Sequence, residues 1–166
     1  MKRIFAFAAM LCMLLPLLAG CGNATLPDFG MSAKDMMKGA IANGSSYGYT
    51  LKVTGFESNT ETSGGVKTTD YSYTVNDYLY LYIESSSYYG DSVYIGLDEV
   101  AFNAGDYDTP TNEWVALVYG VMETIDPKAD TDEFDTMFSA ADVVTYHGYT
   151  YTYEEYNGMY YVIITK

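Results

Sequence analysis

The sequence predicts a single α+β domain: a curved antiparallel sheet of about six or seven strands. An N-terminal helix covers it, together with a two-helix insertion ahead of a C-terminal hairpin. Three observations carry this expectation. Stretches rich in Tyr, Thr and Val alternate apolar and polar residues with the two-residue period of a half-buried strand. Trp114, Leu117, Val118, Val121, Met122 and Ile125 recur at the spacing of one helical face. Asn157-Gly158 separates two β runs and is the preferred pair for a type I′ hairpin turn.

Residues 32–43 read as the first helix. Ser32 can cap it, Asp35 stands at the capping-box position, and Ala33, Met36, Met37, Ala40 and Ile41 form one stripe. Asn43-Gly44 is a stop signal. Residues 47–56 alternate as a strand, with Tyr47, Tyr49, Leu51 and Val53 on one face. The polar stretch 57–65 ends in Gly64-Gly65 and reads as a loop. Residues 66–85 read as a hairpin about a two-residue turn, Asn76-Asp77. That register sets Tyr71, Tyr73 and Val75 beside Tyr82, Tyr80 and Tyr78, with Leu79, Leu81 and Ile83 on the other face. The run from Ser85 to Gly90 has the Tyr, Ser and Gly composition of binding loops, so Tyr88 and Tyr89 are candidate interaction residues. Short strands follow at 93–97 and 100–103, then a loop over 104–110.

The second helix starts at Thr109 to Thr111 and is stopped by Pro127. The third spans 131–141, capped by Asp130. Phe134, Met137, Phe138 and Ala141 form its buried face, and Asp132, Glu133 and Asp135 suit its N-terminal dipole. Glu113 and Asp135 fall on or near polar faces. Residues 143–156 read as one β run containing His147, and 159–165 as its return strand. The turn at 157–158 sets Tyr156 opposite Met159, Tyr153 opposite Val162 and Tyr151 opposite Ile164.

Ahead of this domain, Lys2 and Arg3 precede an apolar run from 4 to 18, and Ala19-Gly20 supplies small residues at its exit. That is the layout of a secretory signal peptide. The run is shorter than the roughly 20 residues that cross a bilayer, and Pro16 interrupts it. Leu18-Ala19-Gly20-Cys21 resembles the lipobox of bacterial lipoprotein precursors. The resemblance implies cleavage before Cys21 and attachment of diacylglycerol to its sulfur, with two or more acyl chains giving a stable anchor. The expected organisation is a leader over 1–20, a lipidated Cys21 and tether over 21–31, and a domain over 32–166. The implied location is the extracytoplasmic side of the cell membrane, held there by the lipid on Cys21.

Losing Lys2 and Arg3 with the leader takes the formal charge from −14 to −16, and no Arg remains. Such a surface repels nucleic acid, which is excluded as a partner. Cys12 leaves with the leader and Cys21 is consumed by lipid, so the domain has neither disulfide nor reactive thiol. His147 is the single histidine, and no Gly-x-Ser-x-Gly motif accompanies it. The carboxylates Asp126, Asp130, Asp132, Glu133 and Asp135 do not follow the pattern of a calcium loop. No enzyme, metal or cofactor is expected.

The order of elements also resembles the lipoprotein-carrier half-barrel superfamily. The likeness rests on the 32–43 helix running into Ser46-Tyr47-Gly48-Tyr49 and on the closing hairpin over 151–165. It implies an apolar groove between sheet and helices. The expected function is a monomeric lipoprotein binding an apolar small molecule or lipid there, against Trp114, Leu117, Met122, Met137 and Phe138. The alternative is a tethered protein-interaction or adhesion module that uses Tyr88, Tyr89 and the sheet edges. A carrier needs an apolar pocket of roughly 300 Å³ or more; an interaction module needs a packed core and an exposed aromatic patch.

Overall fold

The computed structural model describes residues 25–98 and 108–166. The short strands β1 (Thr25–Leu26) and β2 (Met31–Ser32) pair with each other and lead into helix α1 (Ala33–Ser45). Strands β3 (Val53–Ser63), β4 (Val66–Val75), β5 (Leu79–Ser86) and β6 (Gly90–Asp98) follow. Then come helices α2 (Asp108–Ile125) and α3 (Thr131–Phe138), and strands β7 (Val143–Tyr146), β8 (Tyr149–Tyr156) and β9 (Met159–Thr165). Strands β3 to β9 form one antiparallel sheet in the order β3-β4-β5-β6-β9-β8-β7. This is a single α+β domain, as the periodicities predict. Among the described residues, no helix is long and apolar enough to cross a membrane.

The core lies between the helices and one face of the sheet. Leu79, Leu81, Ile83, Val93, Ile95, Leu97, Tyr151, Val162 and Ile164 meet Met36, Leu117, Val121, Met122 and Phe134, all essentially inaccessible to water. The C-terminal hairpin has the expected register, with Tyr156, Tyr153 and Tyr151 opposite Met159, Val162 and Ile164. Asn157 and Gly158 both have positive φ, as a type I′ turn requires. Ser32 caps α1 as expected: its Oγ accepts the backbone N–H of Asp35 at 3.1 Å.

Several boundaries differ from the sequence expectation, each for a physical reason. Residues 25–31, expected within a tether, are folded: Leu26 and Phe29 are buried, and Phe29 stacks on Tyr149 at 5.9 Å. The backbone N–H of Asp28 donates to Asp91 Oδ2 at 2.9 Å, and that of Asp91 donates to Asp28 Oδ2 at 2.8 Å. Two apolar side chains and a reciprocal pair of bonds therefore hold this segment on the domain. Gly44 does not end α1, which runs on to Ser45 with Ser46 as its cap. Gly44 is buried where α1 crosses α2: a Cβ there would stand 2.7 Å from the Ala116 carbonyl oxygen. The glycine serves close helix packing instead of termination.

The strand expected over 47–56 begins only at Val53, and the stretch expected as a loop is the rest of β3. Gly64 and Gly65, both at positive φ, turn β3 into β4. Exposed Glu57 and Glu61 sit on this edge strand, where charge discourages pairing with other chains. The expected β run over 143–156 is broken by His147-Gly148, both at positive φ, so that β7 and β8 form their own hairpin. Helix α3 ends at Phe138, short of Ala141, which is exposed. The expected strand at 100–103 and most of the 104–110 loop lie outside the described residues.

Glu113 is not on a polar face. It is buried, and its Oε2 accepts Asn76 Nδ2 at 2.9 Å and the hydroxyl of Tyr78. Asn76 also accepts the N–H of Lys52 and donates to the Thr50 carbonyl, so it joins the chain entering β3 to the β4–β5 turn and to α2. This role decides the register of that hairpin. Asn76 and Asp77 both take positive φ, but Tyr78 also stands outside the ladder, and Val75 pairs with Leu79. The three-residue connection shifts the pairing by one from the expected register, and a one-residue slip exchanges the faces. Tyr71, Tyr73 and Val75 share the core face with Ile83, Leu81 and Leu79; Tyr80 and Tyr82 turn outward.

Candidate functional site

That shift creates the main surface feature of the domain. On the sheet face away from the helices, cross-strand pairs line up in rows. Tyr82 is directly opposite Tyr94, and Tyr94 is opposite Ile163; Gly96 stands between Tyr80 and Tyr161 in the next row. The rings of Tyr82 and Tyr94 lie 5.4 Å apart with planes at 63°, so that they form a corner. Gly96 leaves room for its neighbours. A Cβ there would stand 3.0 Å from Tyr161 Cε1 and 3.2 Å from Met159 Cε, tighter than ordinary contact. Tyr161 and Met159 therefore lean across the bare strand.

The result is a cleft of about 480 Å³ with a predominantly apolar wall, built by Tyr80, Tyr82, Tyr94, Tyr161, Met159 and Ile163 with Glu154 at its rim. Its volume is in the range of small-molecule sites. The Tyr82 phenol lies beside the Asp70 carboxylate. Burial first, then the neighbouring Asp70 carboxylate and the charge of Glu84, push the Tyr82 phenol above its ordinary value. Tyr94 and Tyr161 shift the same way, again through burial first. The hydroxyls therefore stay protonated throughout the physiological range. In that form each can donate and accept a hydrogen bond.

The helix side offers less apolar space: its larger hollow, about 460 Å³ beside Asn43, Glu123 and Thr124, has a wall about as polar as apolar. Of the residues expected to line a groove there, Leu117 and Met122 are fully buried and fill the core. Trp114 is half-buried, donates its indole N–H to the Ile95 carbonyl at 2.9 Å, and meets Tyr153 edge-on. Phe138 stacks on Phe134 at 5.1 Å, and Met137 packs beside the core. The space between these helices and β8–β9 is about 200 Å³, bounded by Trp114, Val118, Phe134, Phe138 and Tyr153. That is below the volume expected of a carrier.

Tyr88 and Tyr89 occupy the β5–β6 turn, 74% and 79% exposed, with their rings packed edge to face at 4.9 Å. They stand beside the folded N-terminal segment: Gly90 lies against Asp28, whose Oδ2 would be 2.5 Å from a Cβ there. Cys21 lies outside the described residues. His147 bonds to Asp126 and stacks on Tyr146 at 4.1 Å, which accounts for it as a turn residue. Among the described residues, no three His, Cys, Asp or Glu side chains are arranged to hold a metal ion.

The expected register leaves open which way Tyr80 and Tyr82 face, and Tyr94 and Tyr161 join them only through the pairing of β6 and β9. A signal for the first two was present. Leu79, Leu81 and Ile83 alternate with Tyr80 and Tyr82, and the aliphatic set is the one that loses most by facing water. No protein-family model, curated protein or solved structure matches the chain.

Proposed function

We propose that the protein is an exported, lipid-anchored lipoprotein whose folded domain is a non-catalytic binding module, with the open face of the sheet as its binding surface. The observation that carries this reading is the distribution of its aromatic residues. The apolar space beside the helices is small, while Tyr80, Tyr82, Tyr94 and Tyr161 converge on a mainly apolar cleft large enough for a ligand. Tyrosine suits such a surface, because its ring offers rigid apolar contact and its hydroxyl a polar handle. Such rings and hydroxyls can bind and orient a ligand.

The lipobox supports the anchored part of the reading. Cys21 precedes Thr25 by four residues, and a stretch of four spans at most about 14 Å when extended. A lipid on Cys21 would thus hold the domain close to the bilayer by the pole carrying β1 and β2. Tyr88 and Tyr89 are at that pole, and so is Lys67, whose backbone carbonyl and N–H bond to Ser87. Exposed tyrosines favour the membrane–water interface.

Two measurements test the proposal. The intact mass of the full-length chain purified from bacterial membranes should correspond to a product beginning at diacylglyceryl-Cys21; an unmodified Cys21 or cleavage elsewhere overturns the anchor. Ring shifts of ¹³C-labelled tyrosine in a small-molecule screen should cluster at Tyr80, Tyr82, Tyr94 and Tyr161. Responses confined to the space around Trp114 and Phe138 would return the site to the helix side.

A further inference from the structure

We propose that the tyrosine cleft is a site for a small organic cation, an alkylated ammonium carried on an apolar body. The proposal rests on the open face being the binding surface and names the class of ligand that surface takes. Its first support is the charge of the surroundings. Glu57, Asp70, Glu84 and Glu154 all belong to this face by register. Glu154 lines the cleft itself, and Glu57 and Asp70 line a dip that continues from it past Tyr82. Among the described strands, no lysine points to this face. Lys67 pairs with Thr62 in the register of the opposite face, and Lys166 Nζ lies 5.6 Å from the centre of the Tyr149 ring on the core side. Among the described residues, none of these carboxylates has a salt-bridge partner.

The second support is a pairing that costs energy as it stands. Asp70 and Glu84 are directly opposite each other across β4 and β5. Like charges in that relation destabilise a sheet. Asp70 Oδ1 is also buried with no hydrogen-bond partner among the described residues. A cation seated beside Tyr82 offsets the repulsion between the two carboxylates and meets Asp70 through charge.

The third support is the wall. Tyrosine faces attract cations through the ring quadrupole, and most strongly where water is excluded. A bare metal ion would need a cage of oxygens instead of phenol rings. An alkylated ammonium matches the site at both ends: it carries charge for the carboxylates and methyl groups for the rings. A second copy of the chain is disfavoured by the same charges, since two such faces would bring Asp70, Glu84 and their neighbours against like groups.

The test uses the full lipidated chain in nanodiscs of phosphatidylglycerol, a lipid that carries no organic cation. Choline is titrated against its neutral isostere 3,3-dimethylbutan-1-ol, with tyrosine ring resonances and calorimetry as readouts. Choline should shift Tyr82, Tyr94 and Tyr161 and bind about tenfold more tightly than the alcohol, or better. Asp70→Asn and Glu154→Gln should each erode that ratio, and added salt should weaken it. Tyr119→Phe, on the helix side, should leave it unchanged. Equal affinity for the two probes at these tyrosines overturns the cation assignment and leaves the binding surface standing. Shifts caused only by a lysine-rich peptide do the same, and place a polypeptide on the face. Silence of every open-face tyrosine toward choline, alcohol and peptide overturns both the assignment and the surface.

Discussion

Replacing Gly120 with alanine tests how the helical layer is built. Gly120 is in the middle of α2 and faces α1. A Cβ at this position would stand 2.1 Å from the Ala40 carbonyl oxygen and 2.7 Å from the Gly44 backbone nitrogen. Both obstacles are main-chain atoms of α1, so no rotamer change can clear them. The helices must move apart by about 1 Å for the methyl group to reach normal contact. That separation loosens Ala33, Met36 and Ala40, all fully buried, and stretches the 3.1 Å bond from Asn43 Nδ2 to Thr124 Oγ1. Overpacking of this kind costs about 1–3 kcal/mol, and two rigid main-chain obstacles place it at the upper end. Alanine returns about 1 kcal/mol through its better helix propensity. The expected net loss is about 2 kcal/mol, read as a lower urea midpoint at unchanged slope. Gly39→Ala is the companion variant. The three atoms nearest its Cβ all belong to the Thr124 side chain, the closest at 2.4 Å, so a simultaneous Thr124→Ala change should relieve much of the cost. A Gly120→Ala protein as stable as the parent would mean that α1 and α2 do not cross at this point.

Three further outcomes follow from single groups. Tyr151 is fully buried, and its hydroxyl has no hydrogen-bond partner among the described residues, so Tyr151→Phe should be neutral or stabilising by up to about 1 kcal/mol in the same assay. Glu113→Ala removes the acceptor shared by Asn76 and Tyr78 and should cost about 1–3 kcal/mol; an unchanged melt would mean that these donors find water instead. Burial by itself would raise the Asp126 carboxyl, but the bond to His147, the Lys128 N–H and the charges of both residues outweigh it and hold the carboxyl below its ordinary value. A carboxylate depressed in the folded state contributes stability above its unfolded pKa, and that contribution is lost as pH falls through the folded value. His147→Asn keeps a residue that tolerates positive φ but removes the partner. It should move acid unfolding, followed by circular dichroism, to higher pH.

The parts of the fold that were legible in the sequence are those with local causes. Asn157-Gly158 sets its hairpin register from the turn alone, and Ser32 with Asp35 caps α1 through groups three residues apart. The stripe from Leu117 to Ile125 faces the core because its period is that of a helix. Where a residue's role depends on a distant partner, local pattern misleads. Gly44 has the look of a helix stop, but Ala116 is what requires it to be small. Glu113 reads as a surface charge until Asn76 and Tyr78 arrive beside it.

Composition and periodicity were thus sufficient for the α+β class and for the core stripe of α2, because each depends on neighbours in the chain. Tertiary structure decided which tyrosines meet on the open face of the sheet. Asn76 binds Lys52 and Thr50 as well as Glu113, and this fixes a three-residue connection where the sequence suggested two. Side chains alternate across a sheet with a period of two, so that one residue turns Tyr80 and Tyr82 outward. Strand order then brings Tyr94 and Tyr161, from β6 and β9, alongside them. The cleft is made by pairings between residues far apart in sequence, for which the linear chain carries no local signal.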